Sequence, residues 1–150
     1  MVDKSVIGRA EPPYELDVER GKIREFARAV QSRNPAYLDD PVPVITPTFL
    51  TSSQHWAPPG TSLVASVGLN LSRVLHGGQE YIFHGPPPRA GAHLSTTTRI
   101  EDVYEKQGQR GGTMTFVITL QEFRDDAGRL VAESRTTVIE TGKAPSEEGR

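Results

Sequence analysis

Two runs rich in β-branched and aromatic residues, Thr113 to Phe123 and Leu130 to Glu140, are separated only by Arg124-Asp125-Asp126-Ala127-Gly128-Arg129. A short polar connection with a glycine between two such runs reads as a hairpin, so the C-terminal part of the chain is predicted to be an antiparallel ribbon. Alternation in the first run puts Met114, Phe116, Ile118 and Leu120 on one face, and that face is expected to be buried. Asp125 and Asp126 are read as turn formers.

The strand pattern extends upstream. His93 to Tyr104 carries Leu94, Thr96, Thr98 and Ile100 on one face, while Val103 falls on the other. Such a change of face marks a bulge or the end of a strand. Gln79 to His84 is a further short strand, followed by a turn or extended loop at Pro86 to Gly91. Tyr14 to Val18 alternates as a short strand, and Gly111-Gly112 reads as a hairpin or bulge.

The first half supplies the helices. Ile23, Phe26, Ala27 and Val30 recur at the spacing of one helical face within Glu19 to Val30. The helix is expected to end before Asn34-Pro35, because a residue preceding proline avoids helical geometry. Thr46 to Trp56 is a second helix candidate, with Thr46 as cap and Pro47 at the first position. Thr51, Ser52 and Ser53 are middling helix formers, so packing has to hold this segment. The order strand, helix, helix, then about four hairpin-linked strands defines an α+β class with a helix against one face of an antiparallel sheet.

Composition excludes several functions. There is no cysteine, hence no disulfide or thiolate chemistry, which fits a reducing, cytoplasmic setting. The formal net charge is −2, and the basic residues of Arg20 to Arg28 are interleaved with Glu19 and Glu25 as on a solvated helix face. Nucleic acid is therefore not an expected partner. No apolar run approaches the length of a membrane span. His84 and His93 flank the proline-rich loop at a spacing that matches no zinc motif. No metal or other cofactor is expected. His55 is read as an exposed or interface residue; His76 and Gln79 are read first as part of a turn preceding a strand, with a polar contact near the substrate or subunit interface as the alternative.

A set of segments occurs in a consistent order: Arg20-Gly21-Lys22-Ile23-Arg24-Glu25-Phe26-Ala27, Asn34-Pro35-Ala36-Tyr37-Leu38-Asp39, Thr46-Pro47-Thr48-Phe49, Leu75-His76-Gly77-Gly78-Gln79-Glu80, Arg89-Ala90-Gly91 and Gly128-Arg129-Leu130-Val131-Ala132-Glu133. Together they resemble the MaoC-like dehydratases, in particular the FAS1-like N-terminal dehydratase domains, over roughly residues 8–141. The resemblance implies a single hot-dog domain over residues 1–141, a curved antiparallel sheet wrapped around a central helix, followed by a disordered tail at 142–150. Thr46 to Trp56 would begin or form the central helix.

Catalytic relatives hydrate or dehydrate an acyl thioester of coenzyme A or acyl carrier protein, using a pattern Asp-x-Asn-x-x-His. The carboxylate and imidazole exchange protons near working pH. Here the pattern reads Ser32-x-Asn34-x-x-Tyr37. A serine needs an activating base of its own, and a phenol with a reference pKa of about 10 is a poor base. The resemblance thus implies no catalytic residue in this chain, with Ser32 and Tyr37 as degenerate dyad positions. Asn34, Phe49 and Trp56 are candidate substrate-binding residues, although for Phe49 and Trp56 core packing under the sheet is the first reading and lining of the acyl tunnel by one of them the second. The expected assembly is a homodimer, or a heteromer in which a catalytic MaoC-like subunit supplies Asp and His. A non-enzymatic acyl-thioester-binding or regulatory module is the alternative. A hot-dog thioesterase fits less well, because Thr46 to Trp56 contains no carboxylate.

Overall fold

The computed structural model describes residues 3–108 and 112–142. Its centre is one five-stranded sheet in the order β1-β3-β4-β5-β2, with every neighbouring pair antiparallel. The strands are β1 (Tyr14–Asp17), β2 (Val74–Phe83), β3 (His93–Gln107), β4 (Thr113–Arg124) and β5 (Leu130–Glu140). Helices α1 (Arg20–Ala29), α2 (Pro35–Leu38) and α3 (Leu63–Ser66), together with a 3-10 segment at Phe49–His55, lie between β1 and β2. This is an α+β hot-dog sheet, and β1 and β2 form its two edges. The tail expectation concerns residues that, beyond Gly142, lie outside the described ones, as does Gly111 of the Gly-Gly pair.

The β4–β5 hairpin forms as its turn residues dictate. Asp125 accepts hydrogen bonds from the backbone N–H groups of Ala127 and Arg129, and Gly128 takes the left-handed conformation at φ 75°. The register of β3 on β4 shifts between Ile100 and Asp102, so the change of face at Val103 is a bulge.

Three expectations are corrected. First, β4 buries the opposite face. Thr115, Val117, Thr119 and Phe123 are buried, whereas Met114, Phe116 and Ile118 are only half-buried. Alternation says which residues share a face; the neighbouring strand decides which face is inward. Leu94, Thr96 and Ile100 of β3 are buried, and their register sets Phe123 opposite Thr96 and Thr119 opposite Ile100. Residues directly opposite each other share a face. Leu120 is buried, but on the outer face between Arg99 and Arg135.

Second, β2 starts at Val74 rather than Gln79, so His76 lies within the strand and not in a turn before it. A bulge between His76 and Gly78 breaks the alternation that would have revealed it. Gly77 is needed there, because a Cβ would stand 2.5 Å from Ile139 Cδ1.

Third, Thr46 to Trp56 is not an α-helix. Seven residues, Phe49–His55, form a 3-10 segment. Ser52 Oγ donates to the Phe49 carbonyl at 2.7 Å, the local bonding by which serine competes with helical geometry. The concave face of the sheet is consequently covered by short pieces rather than by one long helix.

Packing divides into two apolar clusters. One gathers Leu16, Val18, Ile23, Phe49, Leu94 and Phe123 with their neighbours; the other gathers Leu63, Leu69, Ile100, Val103, Val117 and Val138. Helix α1 contributes Ile23 and Ala27 to burial, as its apolar stripe predicts.

Candidate functional site

The Ser32-x-Asn34-x-x-Tyr37 segment is built by local backbone chemistry. Helix α1 ends in a two-bond cap: the Gln31 N–H donates to the Arg28 carbonyl and the Ser32 N–H to the Ala27 carbonyl, with Gln31 at φ 59°. Ser32 Oγ then accepts the Asn34 N–H at 3.3 Å, and Asn34 Oδ1 accepts the Ala36 N–H at 3.0 Å as the cap of α2. Pro35 occupies the first position of α2, where its missing N–H costs nothing. Tyr37 packs against the first apolar cluster. Ser32 and Asn34 thus shape a turn, and Tyr37 buttresses it.

A cavity of about 560 Å³ lies elsewhere, on the concave face of the sheet. Tyr14, Ser53, Gln79, Gln121, Ser134 and Thr136 line it. Gln121 Nε2 donates to Tyr14 Oη at 3.1 Å and to Ser53 Oγ at 3.2 Å. Gln79 Nε2 donates to Ser134 Oγ at 2.7 Å, and Thr136 Oγ1 donates to Gln79 Oε1 at 2.9 Å. His76 Nε2 lies 3.3 Å from the same Gln79 oxygen. None of Ser32, Asn34, Tyr37, Phe49 or Trp56 lines this cavity. Phe49 is fully buried, with its ring edge-on to Phe26 at 5.7 Å. Trp56 is half-buried against the same cluster.

One carboxylate and one imidazole, Glu11 and His76, do reach the cavity. Glu11 accepts the Leu63 N–H, and its own N–H donates to the Thr98 carbonyl, which places it on the β1 side. His76 sits on β2, at the other edge. Strands β3, β4 and β5 stand between them, so about 19 Å of sheet separates the two edges at about 4.8 Å per strand. Among the described residues, no hydrogen bond or ion pair joins these two groups.

Of the cavity residues, sequence reasoning singles out only His76 and Gln79, as the alternative to a turn, and misses the rest. Gln121 and Ser134 are polar residues in runs read as strands, and Tyr14 and Gln79 also fall within predicted strands. Each signals only that a polar residue recurs on one face. Their convergence depends on register: Thr98, Gln121, Ser134 and Tyr81 fall in one row across the sheet, and Ile100, Thr119, Thr136 and Gln79 in the next.

Charge is concentrated on the convex face instead. Arg135 bridges Glu101 (2.6 and 3.0 Å) and Glu80 (2.8 Å). Hydrogen bonds from Arg135 hold the Glu101 carboxyl below its ordinary range. At the β1 edge, His93 Nδ1 lies 2.7 Å from Asp126, and this hydrogen bond raises its pKa above the usual histidine value. Among the described residues, no group of three or more His, Asp or Glu side chains is placed to hold a metal ion, and no helix is long and apolar enough to cross a membrane.

A five-stranded antiparallel sheet with a cavity on its concave face defines the class of protein as a hot-dog domain. More particularly, the chain belongs to the family described as FAS1-like, dehydratase domain region, whose model matches residues 5–134. It is 33% identical over 157 residues to a UPF0336 protein of Saccharopolyspora erythraea, covering 99% of this chain and 97% of that one. Among solved structures, it is similar to a chain of the C-terminally truncated HadBC (3R-hydroxyacyl-ACP dehydratase) complex from Mycobacterium tuberculosis, with 28% identity and a TM-score of 0.70, covering 89% of this chain and 96% of that chain. A MaoC-like dehydratase shares the fold at a TM-score of 0.74 and 23% identity, over 91% of this chain and 42% of that one.

Proposed function

We propose that this chain is the acyl-accepting, non-catalytic half of a heteromeric hydratase/dehydratase that interconverts 3-hydroxyacyl and enoyl thioesters of coenzyme A or acyl carrier protein. The single observation that carries the reading is the construction of the Ser32–Tyr37 turn. Ser32 Oγ and Asn34 Oδ1 accept backbone N–H groups of the turn, Tyr37 packs on the core, and none of the three lines the cavity. Acid and base then come from a second hot-dog subunit carrying Asp-x-Asn-x-x-His.

Two features support the heteromer. Strand β2 is an edge with one side unpaired, and such an edge is a template for pairing with another chain. The similar Mycobacterium structure is a dehydratase complex. His76 and Gln79, exposed on β2, border the cavity from that edge, so a partner docked there would face the cavity mouth. The cavity is then the acceptor for the part of the acyl group remote from the reacting carbons.

The test is co-expression with an Asp/His-bearing MaoC-like subunit, followed by size-exclusion chromatography with light scattering. A stable complex containing both chains is expected, and a Gln79→Pro change on the β2 edge should dissociate it, since proline disrupts strand pairing. A wild-type chain that remains a monomer beside every such partner, or that forms only a self-sufficient active homodimer, overturns the reading.

A further inference from the structure

The concave face of this sheet is apolar at both ends and polar in the middle. Between the two apolar clusters, the rows Thr98-Gln121-Ser134-Tyr81 and Ile100-Thr119-Thr136-Gln79 cross the sheet from β3 to β2 and are polar but for Ile100, which belongs to the second cluster, and the ring of Tyr81. Ser53, Thr119 and Ser134 are buried to 3%, 6% and 5% exposure, Thr98, Gln121 and Thr136 are half-buried and Gln79 is exposed, so this band runs from the interior out to the β2 edge. A plain alkyl chain is the wrong occupant for it. Burying a polar group without a partner costs more than a matched hydrogen bond returns, and an alkyl chain would strip water from these groups and offer nothing back.

The hydrogen-bond inventory shows what the band has left to give. Both amide protons of Gln121 are committed to Tyr14 and Ser53, which leaves its carbonyl oxygen as an acceptor. Ser134 Oγ accepts from Gln79, so its own proton is free to donate. Gln79 is saturated by Ser134, the Arg135 carbonyl and Thr136. The spare capacity therefore includes a neutral acceptor and a neutral donor one strand apart, and the hydroxyl of Ser53, which likewise only accepts, on side chains fixed by their own network. The carboxylate and imidazole are at the far edges. Neutral oxygens match this arrangement; a carboxylate or ammonium on the ligand does not. The volume holds on the order of 20 non-hydrogen atoms at roughly 30 Å³ each.

We propose that the cavity selects acyl groups bearing neutral hydrogen-bonding oxygens, hydroxyl or keto, on carbons beyond the reacting pair, in preference to plain alkyl chains. The proposal rests on the acyl-acceptor reading above and deepens it. It also identifies Gln121 and Ser134 as the residues that set the preference.

The test uses the full chain and two unreactive probes, octanoyl-CoA and a dihydroxyoctanoyl-CoA whose hydroxyls lie beyond the third carbon, with binding measured by calorimetry. The dihydroxy probe is expected to bind at least about tenfold more tightly, the worth of one or two well-placed hydrogen bonds. Gln121→Leu should collapse that ratio toward about one. Ser134→Ala removes a single oxygen and should reduce it by about threefold or more, which keeps the test decisive if the leucine variant fails to fold. Equal or tighter binding of octanoyl-CoA overturns the polar selectivity while leaving the acyl-acceptor reading intact. Binding of neither probe removes the acyl-acceptor reading, and the selectivity with it. A preference untouched by both variants places the discrimination outside this cavity and also overturns the proposal.

Discussion

Phe49 separates a core residue from a substrate-contacting one. The sequence allows either role; the structure puts its ring fully out of solvent, edge-on to Phe26 at 5.7 Å and 72°, inside the first apolar cluster. Phe49→Ala is therefore expected to cost about 3–5 kcal/mol from lost burial and cavity formation, with the aromatic pair accounting for about 0.5–1.5 kcal/mol of interaction. A domain of this size has about 5–15 kcal/mol in total, so the alanine variant stands near the unfolding threshold. Phe49→Leu keeps most of the volume and is the working variant. Urea denaturation followed by the fluorescence of Trp56, the single tryptophan, reads the loss. A double-mutant cycle with Phe26→Leu reads the coupling. Binding of octanoyl-CoA to folded Phe49→Leu should equal wild type, because Phe49 does not line the cavity. A stability loss under about 1 kcal/mol for Phe49→Ala, together with weakened acyl binding by Phe49→Leu, would refute the assignment to the core.

Other outcomes follow from the same geometry. Gly77→Val drives a side chain into Ile139, which a Cβ already meets at 2.5 Å; it should destabilise by about 1–3 kcal/mol, and adding Ile139→Ala should recover most of the loss in the same denaturation assay. His93 has its pKa raised, first by the hydrogen bond to Asp126, so its contribution to stability is fully present below about pH 6.5 and is lost as pH rises through the higher folded-state value. His93→Gln should accordingly lower the melting temperature at about pH 5.5 and leave it little changed at about pH 9; an equal loss at both would contradict this. Arg135→Ala removes the bridge between Glu101 and Glu80 and uncovers Leu120, yet all three partners are partly exposed. About 1 kcal/mol is expected, diminishing at high salt. Installing Ser32→Asp with Tyr37→His should not create hydratase activity in the isolated chain, because neither position lines the cavity.

The sheet was more legible than what covers it. Long alternating runs with turn residues between them located β3, β4 and β5, because a two-residue period and a hairpin turn are both local signals. The same locality explains the failures. Which face of β4 turns inward depends on its register with Leu94 and Ile100 of β3, information that lies outside the β4 run. The β2 strand was found only from Gln79 onward because the bulge at Gly77-Gly78 reverses the alternation. Thr46 to Trp56 carried the right cap and proline for a helix, but Ser52 bonds back to Phe49 and holds a 3-10 segment. The turn at Ser32–Tyr37 could be read as lacking an acid and a base. The cavity could not be read, since Tyr14, Ser53, Gln79, Gln121 and Ser134 meet only once all five strands are in register.

The central claim is that this chain holds no reacting centre of its own, and hydration of a short enoyl-CoA tests it directly. The purified chain alone should show negligible turnover, since the acid/base pair that contributes typically about 10²- to 10⁴-fold is missing. Adding a MaoC-like subunit with an intact Asp-x-Asn-x-x-His should give activity on acyl chains that the partner alone handles poorly, and mutating the partner's Asp or His should abolish it. Ordinary enzymatic turnover by the chain alone, lost in Tyr37→Phe, would make Tyr37 the proton-transfer group and contradict the account.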